Sequence, residues 1–240
     1  MTLRLTGERT LPDIAEENYW FRRHEAAYLL LSSVVTGGSL LEVGAGEGYG
    51  TAVLAAQADF SCALDYDASA ISHLAQRYSQ LHAVRANLAA LPFATGSFDN
   101  VFSLQVIEHV WDHRQFLLEC GRVLAPDGQL VLSTPNRLTF SPGSDVPLNP
   151  FHTHEFVGAE LVSLVSACHF SIVAVLGLHA SDRLSALDSK YGGFVNAQLA
   201  STPWSTELAA DVASVTAADF VLSPDSLAAS LDLIVVARPA

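Results

Sequence analysis

The sequence has few cysteines and few basic residues, and both shortages restrict its function. Its three cysteines (Cys62, Cys120, Cys168) have no short spacing, which excludes a cysteine-ligated zinc site. The same scarcity, with no recognisable signal peptide, predicts a reducing cytoplasm as the compartment. Lys and Arg number 12 against 25 Asp and Glu, so the formal net charge is -13. Because so acidic a surface repels a phosphate backbone, we expect no nucleic-acid partner.

One apolar run is long enough to raise the question of a membrane span. It covers residues 161–178, and serines and His169 interrupt it. We interpret it as a helix that ends at Cys168, followed by a strand over residues 171–176, and therefore expect no membrane span. Half of the residues are hydrophobic and 15% are charged, so the chain can bury a sizeable core.

Short apolar strands alternate with helices along most of the chain. We predict strands at 39–43, 60–64, 82–86, 100–104, 129–133, 171–176 and 231–237, and helices at 48–58, 68–78 and 112–124, with a turn at 126–128. This alternation predicts an α/β fold with a doubly wound, Rossmann-like, seven-stranded and mostly parallel sheet. A helical N-terminal cap (1–37) precedes a core (38–178), and a helical insertion (179–230) precedes the last strand (231–240).

Four glycines at alternate positions follow the first strand: Gly44, Gly46, Gly48 and Gly50. Glycines allow a sharp turn and a close approach of the backbone to a ligand. Asp65 ends the next strand, where an acid accepts hydrogen bonds from a ribose. The spacing differs from the G-x-G-x-x-G of dinucleotide sites, and Glu42 suits an ammonium group better than a pyrophosphate. We therefore favour S-adenosylmethionine over NAD, with a purely structural glycine turn as the alternative.

The chain resembles the class I S-adenosylmethionine-dependent methyltransferases over residues 38–178. The likeness rests on residues 41–48, on 64–67, on 97–99 and on 124–130, which correspond to successive motifs of that family. Asn87 stands where the family usually has an adenine-binding Asp. The resemblance implies a single methyltransferase domain over residues 1–240. It also implies a set of cofactor-binding residues: Glu42, Gly44, Ala45, Gly46, Asp65, Tyr66, Asn87, Leu88 and Gln105. Arg23, in the N-terminal segment, is expected to close over the pocket and bind the cofactor carboxylate.

A closer likeness involves residues 6–10, 17–24 and 133–137. These are similar to mycobacterial methyltransferases that serve methylmannose polysaccharide and methylglucose lipopolysaccharide. The resemblance implies O-methylation of a sugar hydroxyl on a mannoside or glucoside oligosaccharide, in polymethylated polysaccharide biosynthesis. The expected sugar contacts are Tyr19, Trp20, His24 and Asn136, although an amphipathic helix packed on the sheet also explains residues 19–24.

Three other functions remain open at this point. A phenol, quinone or other small molecule is an alternative acceptor for the methyl group. An NAD-linked oxidoreductase is a different class that the glycine spacing disfavours. A cofactor-binding regulator without catalysis is the third. The insertion at 179–230 is expected to shape the acceptor pocket or a dimer contact, and the sequence leaves a homodimer open.

Two segments carry the candidate catalytic groups. Gln105 to His109 follows the fourth strand, and a loop with His152, His154 and Glu155 lies downstream. The first segment resembles the E-x-x-E-H of small-RNA 2′-O-methyltransferases and demethylubiquinone O-methyltransferases. That resemblance implies Mg²⁺ held by Glu108, His109 and His154, assisted by Gln105. The expected catalytic residues are His152 as general base, with His109 and Glu108. The alternatives are a helix-start acid with a core histidine, and histidines of a surface loop.

Overall fold

A computed structural model describes residues 10, 12, 14–200 and 203–240. Residues 6–9 of the first motif in the closer likeness lie outside the described residues. The strands are β1 Ser39–Val43, β2 Phe60–Asp65, β3 His82–Arg85, β4 Phe98–Leu104, β5 Leu124–Pro135, β6 Phe170–Ala180, β7 Phe220–Ser223 and β8 Asp232–Pro239. The α-helices are α1 Asn18–Leu31, α2 Tyr49–Leu54, α3 Ala68–Arg77, α4 His113–Val123, α5 Arg137–Phe140, α6 Gly158–Ala167, α7 Asp182–Tyr191, α8 Phe194–Ala200 and α9 Thr206–Ser214.

The strands form one mixed sheet in the order β3-β2-β1-β4-β5-β8-β6-β7. The pairs β3-β2, β2-β1, β1-β4 and β4-β5 are parallel. Strand β8 enters between β5 and β6 and is antiparallel to both. The predicted α/β class and largely parallel sheet are therefore confirmed.

The sheet has eight strands, so the prediction of seven was wrong. The additional strand β7 lies inside the segment predicted as helices and loops, and it pairs antiparallel with β6 at the sheet edge. A run of four residues gives too short a pattern to recognise, and its partner is distant in the chain. The predicted turn at 126–128 is also different: these residues belong to β5, where its register with β4 shifts between Phe98 and Asn100.

Helices cover both faces of the sheet, as alternate residues of β1 show. Leu41 packs in a core with α4 and α6, whereas Leu40 packs in a second core with α1 and α2. The apolar run at 161–178 is divided between α6 and β6, as predicted. Within the described part of the chain, none of the helices has the length and hydropathy that a membrane crossing requires.

The segment 179–230 is part of the core as well as of the surface. Leu184, Phe194, Leu208 and Val212 from α7, α8 and α9 are buried in the same cluster as Tyr19 of α1. Removal of this segment would therefore expose that cluster.

The carboxyl ends of the parallel strands meet at one edge of the sheet. Gly44 follows β1, Asp65 ends β2, and Gln105 follows β4. A loop over residues 141–157 returns to this edge, where the Thr153 amide donates to the Glu108 carbonyl. The Thr153 hydroxyl bonds the carbonyls of Glu108 and Val110. These bonds hold the neighbouring His152 beside the segment that follows β4.

Candidate functional site

Two cavities open at the carboxyl edge of the sheet. The first cavity, of about 1090 Å³, lies over the glycine loop and the end of β2. Its described lining includes three carboxylates (Glu47, Asp65 and Asp112) and one guanidinium (Arg85). Because this balance is negative, the first cavity favours a cationic ligand over one that carries a pyrophosphate.

The glycine loop has the conformation that its sequence requires. Gly44 has φ of 85°, and a Cβ at this position would lie 2.4 Å from the side chain of Val106. Gly46 has φ of 52°, and a Cβ there would meet no atom within 4 Å. The Gly46 backbone therefore faces open space in the first cavity, where any side chain would occupy the room of a ligand.

The expected ribose and adenine contacts line the first cavity. Asp65 is held in place, since it accepts hydrogen bonds from the amides of Gly46 (2.8 Å) and Asp67 (2.9 Å). Tyr66 is exposed beside it. Asn87 accepts a hydrogen bond from the Ala89 amide at 2.9 Å. The remaining lining residues from the predicted cofactor set are Gly44, Ala45, Gly46, Leu88 and Gln105.

Glu42 does not line either cavity, in contrast to the expected contact with an ammonium group. Its buried carboxylate accepts hydrogen bonds from Tyr28 Oη at 2.5 Å and from the Thr51 hydroxyl. Burial raises the pKa of Glu42 to about 7. The carboxylate therefore supports the glycine loop from below by joining β1 to α1 and α2.

The second cavity, of about 1000 Å³, lies between α1, the 141–157 loop and the segment of α7 and α8. Aromatic rings make up much of its wall, and hydroxyl, carboxylate and amide groups from the two insertion helices line it. The rings are Tyr19, Trp20, Phe140, Phe151 and Phe194, and the polar groups from α7 and α8 are Ser185, Asp188, Ser189 and Asn196. The insertion thus contributes to this cavity rather than to the first.

The residues of helix α1 that were expected to contact the sugar or the cofactor line the second cavity. Tyr19, Trp20 and Arg23 line it, and His24 lines both cavities. Burial lowers the pKa of His24 to about 4, so this side chain is neutral at physiological pH.

The structure gives Arg23 and Asn136 other partners than those expected. The Arg23 guanidinium binds Asp232 through two hydrogen bonds of 2.8 Å and 2.5 Å, and it also donates to the Leu231 carbonyl. Arg23 lines the second cavity and not the first. Asn136 is 1% exposed and donates to the carbonyls of Leu227 and Ser230, so it stabilises the approach to β8. It lines neither cavity.

Gln105, His109 and His152 belong to the walls of both cavities, which therefore meet at these side chains. Gln105 has φ of 58°, an unfavourable value for a residue with a side chain, and its amide nitrogen donates to Ser133 Oγ at 3.1 Å. The His109 Nδ1 lies 3.0 Å from the Phe151 carbonyl, which can only accept, so the His109 lone pair is on Nε2.

Glu108, His109 and His152 form a group of candidate metal ligands. One donor atom from each lies within 4.8 Å of the others. Glu108 is buried and accepts a hydrogen bond from the Thr134 hydroxyl at 2.9 Å. Burial raises the pKa of Glu108 to about 8, because the described surroundings compensate its negative charge poorly.

His154 is not part of this group, in contrast to the expected ligand set. Its ring packs on Phe156, and its Nε2 lies 3.6 Å from Glu160 on the surface. The structure instead brings His152 within 4.8 Å of Glu108 and His109, and Thr153, between the two histidines, anchors the loop at the Glu108 and Val110 carbonyls.

Several residues that organise the site were missed. Asp232 is the partner of Arg23, and Tyr28 and Thr51 bind Glu42. Glu155 was named with the histidine loop but without a role; it binds His152, and its spacing of three residues is the sequence signal that could have indicated that contact.

Comparisons with known proteins agree with this geometry. The family model "Methyltransferase domain" matches residues 41–132. A Mycobacterium tuberculosis protein named "Probable S-adenosylmethionine-dependent methyltransferase" is 48% identical over 99% of this chain and 90% of its own. A protein of the same description from Mycolicibacterium smegmatis is 47% identical over 99% of this chain and 96% of its own.

A solved structure shows the same fold. It is a chain from the complex between the Haloferax volcanii Trm112 methyltransferase activator and a methyltransferase. The TM-score is 0.66 at 15% identity, and the match covers 99% of both chains. The fold is thus that of a known methyltransferase complex chain, and the two mycobacterial relatives show that the chain belongs to the family of S-adenosylmethionine-dependent methyltransferases.

Proposed function

We propose that the protein transfers a methyl group from S-adenosylmethionine to a hydroxyl of a neutral mannoside or glucoside oligosaccharide, in polymethylated polysaccharide biosynthesis. The observation that carries this proposal is the meeting of two cavities at Gln105, His109 and His152. A donor in the first cavity and an acceptor in the second can approach each other along this shared wall, which also includes Thr10, His24, Pro150 and Phe151. Gln105, His109 and His152 follow the strand end or lie in the loop packed on it, so we take these side chains to be beside the reacting atoms.

The wall of the second cavity suits a sugar. Aromatic rings such as Trp20 and Phe140, whose centroids are 6.1 Å apart, offer flat apolar surfaces for the C–H faces of a sugar ring. The hydroxyls of Ser185 and Ser189 and the amide of Asn196 offer hydrogen-bonding partners for its hydroxyl groups. Such a mixture of apolar wall and a few polar groups is typical of specific small-molecule sites.

The charges of the second cavity favour an uncharged acceptor. Arg23 is the one Lys or Arg among its described lining residues, and Asp232 already binds this guanidinium. Glu17, Glu108 and Asp188 also contribute to the lining. A sugar phosphate or a nucleotide sugar would meet no unpaired cation there, so we expect unphosphorylated sugars to be preferred.

S-adenosylmethionine supplies a reactive sulfonium methyl when it is bound, so the protein must align a hydroxyl and assist the loss of its proton. His109 and His152 both lie at the junction of the cavities. We propose His152 as the general base, because burial lowers its pKa and keeps the ring neutral. His109, with its lone pair on Nε2, is the second candidate.

We further propose that Mg²⁺ or Mn²⁺ takes part. The donor set is Glu108 and His109, assisted by Gln105; His152 lies within 4.8 Å of Glu108 and His109 but keeps its Nε2 lone pair as the general base. The fit is supported by the raised pKa of the buried Glu108 carboxyl, which a cation would lower, and by the anchoring of Glu108 by the Thr134 hydroxyl and of His109 by the Phe151 carbonyl. One carboxylate and one imidazole suit Mn²⁺ at least as well as Mg²⁺. A cation here lowers the pKa of a hydroxyl bound to it.

A phenol or quinol is the second candidate acceptor. The apolar side chains of the second cavity, including Pro135, Pro142 and Leu148, favour it.

We propose the cytoplasm as the compartment for either activity, because the described cysteines are all free thiols, as a reducing compartment would keep them.

A labelled-methyl transfer assay separates the candidates. The assay offers three groups of acceptors at equal concentration, with magnesium and with EDTA. They are neutral mannosides and glucosides, the phosphorylated forms of these sugars, and a set of phenols and quinols. Our proposal predicts label in the neutral sugars and little in the other two groups. Label in phenols or quinols alone would favour the second candidate.

A further inference from the structure

Glu155 lies behind His152, on the side away from the cavities' junction. It is 2% exposed, and its Oε1 is 2.8 Å from His152 Nδ1. Its Oε2 is buried and has no hydrogen-bond partner among the described residues. A buried carboxylate with one unsatisfied oxygen is costly to stability, so a purely structural role explains it poorly.

A second neighbour indicates which nitrogen of His152 carries the proton. Asn149 accepts a hydrogen bond from the Phe151 amide through Oδ1, at 3.0 Å. That bond directs its amide nitrogen toward His152 Nε2, 3.1 Å away. Since the amide nitrogen can only donate, Nε2 must carry the lone pair. The proton is therefore on Nδ1, where it is donated to the Glu155 carboxylate.

We propose that Glu155 is a positioning residue that holds His152 in the Nδ1–H form, so that its Nε2 lone pair is available at the junction of the two cavities. In the structure the Asn149 amide donates a hydrogen bond to this lone pair. During methyl transfer the acceptor hydroxyl replaces Asn149 and gives its proton to Nε2. The inference rests on the proposed function for the use of that lone pair, but the proton's location is independent of the acceptor.

The groups around the His152 ring agree with this assignment. His109 lies edge-on with its centroid 4.9 Å away, and Phe140 covers the ring with its centroid 5.3 Å away. Neither is anionic. Glu108 has a carboxylate oxygen within 4.8 Å of a His152 nitrogen, but Glu155, at 2.8 Å, is the described carboxylate within hydrogen-bonding distance of the ring. A neutral amide at position 155 would accept a proton less strongly and would leave the two tautomers closer in energy.

Nitrogen-15 NMR of the imidazole rings tests the inference directly. The full-length protein is labelled at histidine and saturated with S-adenosylhomocysteine, and His152 is assigned by its loss in His152→Asn. We expect a protonated Nδ1 and an unprotonated Nε2 in the wild type. In Glu155→Gln we expect mixed tautomers. Glu155→Asp, which keeps the charge, is expected to restore most of the wild-type signal.

Turnover gives a second readout once an acceptor is identified. We expect kcat to fall about 10- to 100-fold in Glu155→Gln, with little change in acceptor KM or in S-adenosylhomocysteine affinity. The matched control is Glu160→Gln, which removes the carboxylate from the exposed His154–Glu160 pair. It should change neither the His152 signal nor turnover.

Two results would overturn the inference. One is a wild-type His152 with its proton on Nε2, a measurement that does not depend on whether any variant folds. The other is an unchanged tautomer and kcat in a Glu155→Gln protein that still binds S-adenosylhomocysteine. If the NMR results are as expected but no sugar is methylated, the proposed acceptor is wrong and the role of Glu155 stands.

Discussion

At the scale of single residues, Asp65 and Gly46 are the most direct tests of the first cavity. We expect Asp65→Ala to weaken cofactor binding by about 1.5–3 kcal/mol, because a charge-assisted hydrogen bond to ribose is lost. Calorimetry with S-adenosylhomocysteine measures this loss. Equal affinity in the variant and the wild type would contradict the assignment of Asp65.

Gly46→Val should abolish cofactor binding, because its side chain would extend into the open space of the first cavity. Backbone strain at positive φ also contributes, so a matched control is needed. Gly143 has φ of 74° with no atom within 4 Å of an added Cβ, and it lines neither cavity. Gly143→Val should therefore keep the wild-type affinity. A parallel loss in both variants would assign the effect to strain alone.

Glu42 predicts a pH dependence of stability. Burial raises the folded pKa of Glu42 to about 7, above the ordinary value of 4.5 that applies when the chain is unfolded. The contribution of Glu42 to stability is therefore fully present below pH 4.5 and is lost as pH rises through 7. Relative to Glu42→Gln, the free energy of unfolding of the wild type should fall by on the order of 3 kcal/mol over that interval. Denaturant titrations without cofactor measure the difference, and a difference that does not change with pH would contradict it.

At the scale of secondary-structure elements, helix α7 is expected to determine the size of the second cavity. Ser189→Phe would fill space near Asp188 and should raise acceptor KM by about tenfold or more, which corresponds to 1.4 kcal/mol. Cofactor affinity should not change. Ala186→Phe, on an exposed position of the same helix outside the cavity lining, is the control. Equal KM values in both variants would exclude α7 from the acceptor site.

Elements whose signals are local could be predicted from the sequence. The glycine loop, the strand-end Asp65 and the strand positions up to β4 follow from residue spacing, because turns and buried strands depend on neighbouring residues. Contacts between distant segments could not be predicted. Arg23 is paired with Asp232, 209 positions away, and lines the second cavity rather than the first. The choice of His152 over His154 likewise depends on how Thr153 anchors its loop.

At the scale of the whole molecule, the two cavities and the residues that line both of them form one candidate site at the carboxyl edge of the sheet. We expect EDTA to abolish turnover and magnesium or manganese to restore it, with cofactor affinity unchanged. Glu108→Gln should behave like chelation, whereas His154→Ala should remain near wild type, since His154 faces Glu160. Full turnover after chelation would contradict a role for the metal. A histidine would then remove the proton without one.

The most direct test of the central claim uses S-adenosylmethionine with a trideuterated methyl group. Mass spectrometry follows the label in a neutral mannoside or glucoside oligosaccharide and in the same sugar carrying a phosphate. We predict a trideuterated methyl ether on the neutral sugar and little or none on the phosphorylated one. Unlabelled sugars, together with label in a phenol or quinol under the same conditions, would contradict the proposed function.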